Sequence, residues 1–255
     1  MDRYARWNAL LELLTNSGRV SVEDAADRLD VSQATIRRDF DQLAQQQMIT
    51  RTRGGAVANG VSYDLPLRYK TAKHSAEKQR IGAAAAALVS PGMVVGLNGG
   101  TTTTEVARAL SGRPGLRVVT NALNIASELA VRSNIELVVC GGSARAESYE
   151  LVGPLAELTL AHLNLDLAFI GVDGISPAAG LTTHHEVEAQ TNRALVHTAA
   201  RAVVVADSSK LGRRGFAKIG DLALVSDLIT DSAASPDTVD ALRRAGIEVH
   251  LIDVP

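Results

Sequence analysis

Two sets of residues in this chain have the types and spacing to do chemistry, and they lie in different halves. In VSQATIRRDF, residues 31–40, Ser32, Gln33, Thr35, Arg37 and Arg38 gather on a short polar segment. The planar guanidinium fork bonds guanine edges bidentately or clamps a phosphate, so an exposed arginine pair suits a nucleic acid. Arg51 and Arg53 follow in MITRTRGGAV, an alternating stretch that runs into a Gly-Gly turn. The second set is Asn98-Gly99-Gly100-Thr101-Thr102-Thr103, Thr120-Asn121, Gly141-Gly142, Asp173-Gly174 and Asp207-Ser208-Ser209-Lys210, each at the end of an apolar run. Glycine lets a backbone approach a ligand closely, and threonine hydroxyls donate hydrogen bonds without charge. The first of these loops leads straight into TTEVARAL, whose N-terminal amides and helix dipole favour an anion. Lys210 adds a mobile positive charge. A phosphate is the natural occupant.

Each feature has a blander explanation. Arg37 and Arg38 alone would be solvated residues paired with Asp39 and Asp41; short helices, a tight turn and a basic wing together favour DNA. Any single Gly-rich loop is only a strand-to-helix turn, and it is their recurrence along one chain that points to a ligand. NGGTTT lacks the GKS or GKT ending of a P-loop, and the absence of GxGxxG with a distant acid argues against a dinucleotide. His184-His185-Glu186 invites a metal reading, but adjacent histidines point to different sides and no third ligand stands at a recognised spacing. No metal or cofactor is therefore expected, and the segment reads as a loop over the ligand. Asp173, Glu186 and Lys210 are also the types an isomerase uses as base and oxyanion partner, which keeps a sugar-phosphate isomerase as the alternative. The simpler role for Asp173 and Glu186 is contact with sugar hydroxyls, and Arg145 in GGSARAE is assigned to the pocket rim.

The elements that position these residues follow from periodicity. Trp7, Leu10, Leu11 and Leu14 share one face of a helix over residues 3–16, and Gly18 stops it. Ser21 caps a second helix, with Asp24 completing an acidic capping box and the end near Asp30. Ser32 caps a third, with Ile36, Phe40 and Leu43 inward and Ala34, Arg38, Asp41 and Gln45 outward. Two short helices so tightly joined predict a helix-turn-helix, and the arginine-bearing hairpin after them predicts a wing, over residues 1–57. Residues 58–75 read as a polar linker with Tyr63, Leu65, Leu67 and Tyr69 as possible anchors. From residue 76 to 255, runs such as MVVGL, RVVT, ELVV, LAFIG, AVVVA, SDLIT and EVHLI alternate with helical stretches, including the alanine run 83–87. Strands apolar on both faces predict an α/β domain with a mostly parallel sheet.

Bulk composition agrees. Hydrophobic residues at 46% and charged residues at 21% describe an ordinary soluble protein with a substantial core. The net charge of −2 gives no overall attraction for DNA, so a local field must supply it. The single cysteine, Cys140, excludes an internal disulfide and reads as a buried inert thiol. No secretory signal is visible, and the longest uncharged stretch is broken by Pro91, so a cytoplasmic protein without a membrane span is expected.

The run VSVEDAADRLDVSQATIRRDFDQL with RTRGGAV resembles the N-terminal signature of the DeoR family of bacterial transcriptional regulators. Ser32, Thr35, Arg37, Arg38, Asp39, Arg51, Gly54, Gly55 and Ala56 match its hallmark. The Gly-Thr-Thr, Thr-Asn, Gly-Gly, Gly-x-Asp-Gly and Asp-Ser-Ser-Lys motifs extend the resemblance over nearly the whole chain. It implies an effector domain similar to the ribose-5-phosphate isomerase fold that senses a phosphorylated sugar. It also implies a repressor of a sugar-catabolism operon that binds a double-stranded operator as a homodimer or homotetramer. TNALNIASEL and GLTTHHEVE resemble members controlling hexose or amino-sugar uptake. Two positions depart from the pattern: Gln47 stands where the family usually has glycine, and Asn98 where many relatives have aspartate.

Overall fold

In the computed structural model, which describes residues 3–45, 49–58, 67–71 and 73–254, Trp7, Leu10, Leu11 and Leu14 are buried along one face of α1 (Arg3–Ser17). Gly18, at φ +70°, ends that helix with its amide on the Leu14 carbonyl, a left-handed turn that suits glycine. A short strand, β1 (Arg19–Ser21), intervenes before α2 (Val22–Leu29). Ser21 Oγ accepts the Asp24 amide at 3.0 Å, while the Asp24 carboxylate pairs with Arg28 instead of closing a capping box. After Asp30, in the left-handed region at φ 51°, α3 (Gln33–Gln45) begins with Ser32 Oγ accepting the Thr35 amide at 3.1 Å. Ile36, Phe40 and Leu43 are fully buried against the α1 stripe.

The wing is β2 (Ile49–Thr52) and β3 (Gly55–Ala58), antiparallel, with β1 added on the far side of β3. Gly55 is required there: a Cβ would lie 2.2 Å from the Val20 carbonyl oxygen. The three residues of β1 are too few to carry a period in the sequence. Gln47, Tyr63 and Leu65 lie outside the described residues, as does the side chain of Tyr69. Leu67 is buried at the start of a short helix, α4 (Leu67–Lys70), that packs on α1.

The chain divides into two compact units, residues 1–73 and 74–255. The second runs α5 (Ser75–Ala87), β4 (Val94–Leu97), α6 (Thr101–Leu110), β5 (Leu116–Thr120), α7 (Leu123–Leu129) and β6 (Ile135–Val139). A hairpin, β7 (Ser143–Arg145) and β8 (Glu150–Val152), leads to α8 (Pro154–Leu160) and β9 (Leu165–Ile170). Then come β10 (Gly174–Ser176), β11 (Gly180–Thr183), α9 (Glu186–Thr198), β12 (Ala199–Val205), β13 (Ala217–Gly220), β14 (Asp227–Asp231), α10 (Pro236–Arg244) and β15 (Glu248–Ile252).

All seven expected strands form one sheet in the order β15-β14-β12-β9-β4-β5-β6, and every pairing is parallel. Alternation explains why the strands read as continuously apolar. Ala168 and Ile170 of β9 face the layer of α8, α9 and α10, while Leu167 and Phe169 face that of α5, α6 and α7. From the centre, β4 to β6 winds one way and β9 to β15 the other. The order therefore reverses between β4 and β9, and the carboxyl ends of that pair mark the switch point, the crevice position at which ligands bind in such sheets. A three-stranded antiparallel sheet, β10-β11-β13, and the β7–β8 hairpin supplement this frame. Among the described residues no helix is long and apolar enough to cross a membrane.

Candidate functional site

In the first unit, α3 presents Ser32, Gln33, Arg37 and Arg38 to solvent with Thr35 half-buried beside them. The Ser32 and Thr35 hydroxyls lie 2.9 Å apart, and Arg37 Nη2 donates to Gln33 Oε1 at 3.1 Å. The nearby acids do not pair with these arginines. Asp39 is buried and turned inward, accepting Arg6 Nε at 2.5 Å and Trp7 Nε1 at 2.7 Å. Asp41 pairs with Arg51 at 3.0 Å. The explanation of Arg37 and Arg38 as mere partners of Asp39 and Asp41 thereby falls away.

Arg51 differs from its expected place beside Arg53. Its guanidinium also donates to the Gly55 carbonyl at 3.2 Å and lies over the Phe40 ring, 5.6 Å from the centroid. That geometry ties the wing to α3. Arg53 is exposed at the wing turn, next to Gly54 at φ +86°.

In the second unit, the β4 and β9 loop ends are joined through Asn98, which is buried. Its Nδ2 donates to the Gly171 carbonyl at 3.0 Å and its Oδ1 accepts the Gly171 amide at 2.8 Å. The Asn98 amide extends the β4–β9 ladder, a double role no carboxylate can fill because it has no donor. Thr103 and Thr104 hydroxyls both donate to the Gly100 carbonyl, which tightens the first turn of α6, and Thr102 is buried with them. Thr101 and Gly100 are partly exposed at the helix start. Thr120 Oγ1 donates to the Leu97 carbonyl at 2.7 Å and so pins β5 to β4. Gly142, at φ +133°, lets the Gly141-Gly142 turn close on β8: a Cβ there would meet the Val152 carbonyl oxygen at 2.6 Å.

Around the crevice stand several carboxylates. Asp173 accepts Lys210 Nζ at 3.3 Å and the Thr183 hydroxyl at 3.0 Å, with His184 Nε2 3.8 Å away. Glu186, expected in the pocket, is exposed at the start of α9. Two positions along a helix turn a side chain to the opposite face, so the buried carboxylate is Glu188. Glu188 accepts Arg145 Nε at 2.7 Å and lies 3.3 Å from the Thr183 hydroxyl. The structure thus brings Arg145 to the buried Glu188. His185 caps α9 by accepting the Val187 amide.

Glu150 was not anticipated at all. It is 3% exposed, and its Oε1 accepts the Gly99 amide at 2.7 Å and Asn121 Nδ2 at 3.4 Å. A Cβ on Gly99 would come 2.4 Å from Glu150 Cγ, so this contact needs glycine. Burial, then the neighbouring Glu188 and Asp173 carboxylates, push the Glu150 carboxyl well above the usual carboxylate range, against the two donors. Asp207 behaves oppositely. Burial opposes its charge, but hydrogen bonds from Ser209 and the charges of Lys210, Lys78 and His74 hold it below the usual range. Cys140 is buried and its thiol is pushed up to about 11 by desolvation, as an inert core cysteine should be. Away from the crevice, Asp227, Glu248 and His250 offer metal-type atoms within 4.8 Å, but Arg201 bonds both Asp227 oxygens at 2.7 and 3.0 Å.

The profile described as "DeoR-like helix-turn-helix domain" matches residues 6–60, and that described as "DeoR C terminal sensor domain" matches residues 73–232. The chain belongs to the DeoR family. Among its relatives, the HTH-type transcriptional regulator GlpR of Haloferax volcanii is 37% identical over 245 residues, covering 96% of each chain. The HTH-type transcriptional repressor GlcR of Bacillus subtilis is 35% identical over 98% of this chain and 96% of its own. The glycerol-3-phosphate regulon repressor of Escherichia coli K12 is 31% identical over 98% of this chain and all of its own. Ribose 5-phosphate isomerase A of Methanocaldococcus jannaschii superposes with a TM-score of 0.41 at 22% identity, over 54% of this chain and 55% of that one, a likeness too loose to speak of activity. In this DeoR-family chain the helix-turn-helix profile spans the α3 surface and the sensor profile spans every carboxylate of the crevice.

Proposed function

We propose that this DeoR-family chain is a DNA-binding transcriptional repressor of a sugar-utilisation operon, switched by a phosphorylated sugar bound in the crevice between β4 and β9. The observation that carries the reading is the α3 surface: Ser32, Gln33, Arg37 and Arg38 face solvent while the adjacent acids are engaged elsewhere. An arginine whose charge is not spent on a neighbour is available to guanine or phosphate. Arg53 reaches the backbone or minor groove from the wing turn, and Arg51 holds the wing at its angle.

The effector's phosphate takes the amides and hydroxyls at the start of α6, Gly100 and Thr101, with Lys210 as counter-charge. Its hydroxyls meet Asn121, Asp173 and Glu188, with Arg145 closing the rim. Residues 1–57 read DNA, 58–75 connect, and 76–255 sense the ligand and assemble a cytoplasmic homodimer or homotetramer. The isomerase alternative is the weaker one, because relatives aligned over the full chain, DNA-binding half included, are named as regulators and repressors. Footprinting on DNA from the chain's own upstream region tests the proposal. Arg38→Ala should abolish protection that the wild type gives; equal protection by both would remove α3 from recognition.

A further inference from the structure

Arg37 and Arg38 share a helix but not a setting. Gln33, the first residue of α3, stands one turn before Arg37 on the same face, and its Oε1 accepts Arg37 Nη2 at 3.1 Å. Both side chains are exposed, so no core packing imposes the contact. The acids that could compete for Arg37 are engaged elsewhere. Asp39 is buried on Arg6 and Trp7, and Asp41, one turn further on, pairs with Arg51. Arg38 lies about 100° further round the helix and outside this pair.

The bond decides what the pair can read. A free glutamine reads adenine, its Oε1 accepting from N6 while its Nε2 donates to N7. Here Oε1 is already taken by the arginine, so the pair offers donors alone: the Gln33 Nε2–H groups and the guanidinium fork. In the major groove guanine presents two acceptors, O6 and N7, with no donor beside them. Adenine sets an N6 donor next to N7, cytosine presents an N4 donor, and thymine has a methyl group in place of a second acceptor. A donor-only pair therefore fits guanine. An arginine held by its own helix also has its fork oriented before DNA arrives, which lowers the ordering cost of binding. A base edge requires that fixed direction, whereas a phosphate requires only charge. The pair stands at the N-terminal end of α3, the end that meets base edges in helix-turn-helix docking.

We infer that Gln33 is a positioning residue that aims Arg37 at a guanine, so that the pair fixes one G·C base pair of the operator site. The inference rests on the DNA-binding reading above and deepens it: it divides the two arginines, Arg37 to a base and Arg38 to the phosphate backbone.

Fluorescence anisotropy of the full chain on its footprinted upstream site, with each base pair changed in turn, tests this. The wild type should lose about tenfold or more in affinity when one G·C pair becomes A·T, and in Arg37→Ala the same change should have no further effect. Gln33→Met keeps the length of the side chain but has no oxygen acceptor. It should lower the discrimination at that pair several-fold, while the penalties at the other pairs and the slope of log affinity against log salt stay as in the wild type. Full wild-type discrimination in Gln33→Met overturns the positioning role, and so does a loss spread evenly over all pairs. A Gln33→Met loss that falls on an A·T pair instead shows glutamine reading adenine directly and overturns the inference, as does an Arg37-dependent pair that is not G·C. Absence of any protected upstream DNA overturns the DNA-binding reading itself, and the pair with it.

Discussion

Asp39 directly follows Arg37 and Arg38 in the sequence and yet belongs to the core. Its carboxylate joins α3 to α1 through Arg6 and Trp7, so it fixes the angle at which Arg37 and Arg38 are presented. Asp39→Ala should destabilise the first unit by about 3 kcal/mol, since it removes the buried carboxylate that accepts a mostly buried guanidinium and an indole N–H. Trp7 is the only tryptophan, so its fluorescence during urea unfolding reads that unit selectively. An unchanged midpoint would contradict the role. In the crevice, Glu188→Gln should weaken effector binding several-fold while Glu186→Gln leaves it unaltered, and titration calorimetry separates the two. At this scale the sequence was legible where an effect is local: the Ser21 and Ser32 caps need only residues three positions on. Asp39 bonding Arg6, or Glu150 bonding Gly99, joins residues far apart in the chain and leaves no local period to read.

Elements are held by straps that the same reasoning exposes. Arg51 bridges α3 and the wing through Asp41, Phe40 and the Gly55 carbonyl. Arg51→Ala should therefore lower operator affinity chiefly by loosening the wing, and hydrogen exchange at the β2 and β3 amides should speed up. Unchanged exchange would return Arg51 to direct DNA contact. At the other end of the chain, Asp227 fastens β12, β14 and β15 through Arg201 and His250. Burial works against its charge, but bonds from Arg201, Ser226 and His250 prevail and hold the carboxyl down to about 2. A pKa lower in the folded than in the unfolded state contributes stability above about pH 4 that is lost as pH falls towards 2. Acid unfolding of Asp227→Asn should show a shallower loss in that window, and an identical profile would contradict the strap. Of the elements, the seven sheet strands were legible because each carries a run rich in aliphatic residues bounded by turn signals. Strand β1, the β7–β8 hairpin and the β10-β11-β13 sheet were not: short strands without an aliphatic run are set by tertiary pairing, and the hairpin and the three-stranded sheet carry Arg145, Glu150 and Thr183.

On the scale of the whole molecule, the account requires that one ligand at the β4/β9 crevice and one operator at α3 influence each other's affinity. Linkage makes the influence reciprocal, and a coupling of about 1–3 kcal/mol is enough to switch a promoter. The two ends can be separated by mutation. Arg38→Ala should lower operator affinity and, where the arginine reaches a phosphate, reduce the slope of log affinity against log salt by about 1, leaving ligand binding intact. Lys210→Ala should keep operator affinity and lose the response to ligand. The most direct measurement is fluorescence anisotropy of labelled upstream DNA with the full chain, titrated at two salt concentrations and then with sugar phosphates and the corresponding free sugars. The account predicts tight, salt-sensitive binding whose strength one phosphate ester changes and its free sugar does not. Operator binding that no phosphate ester alters would contradict it.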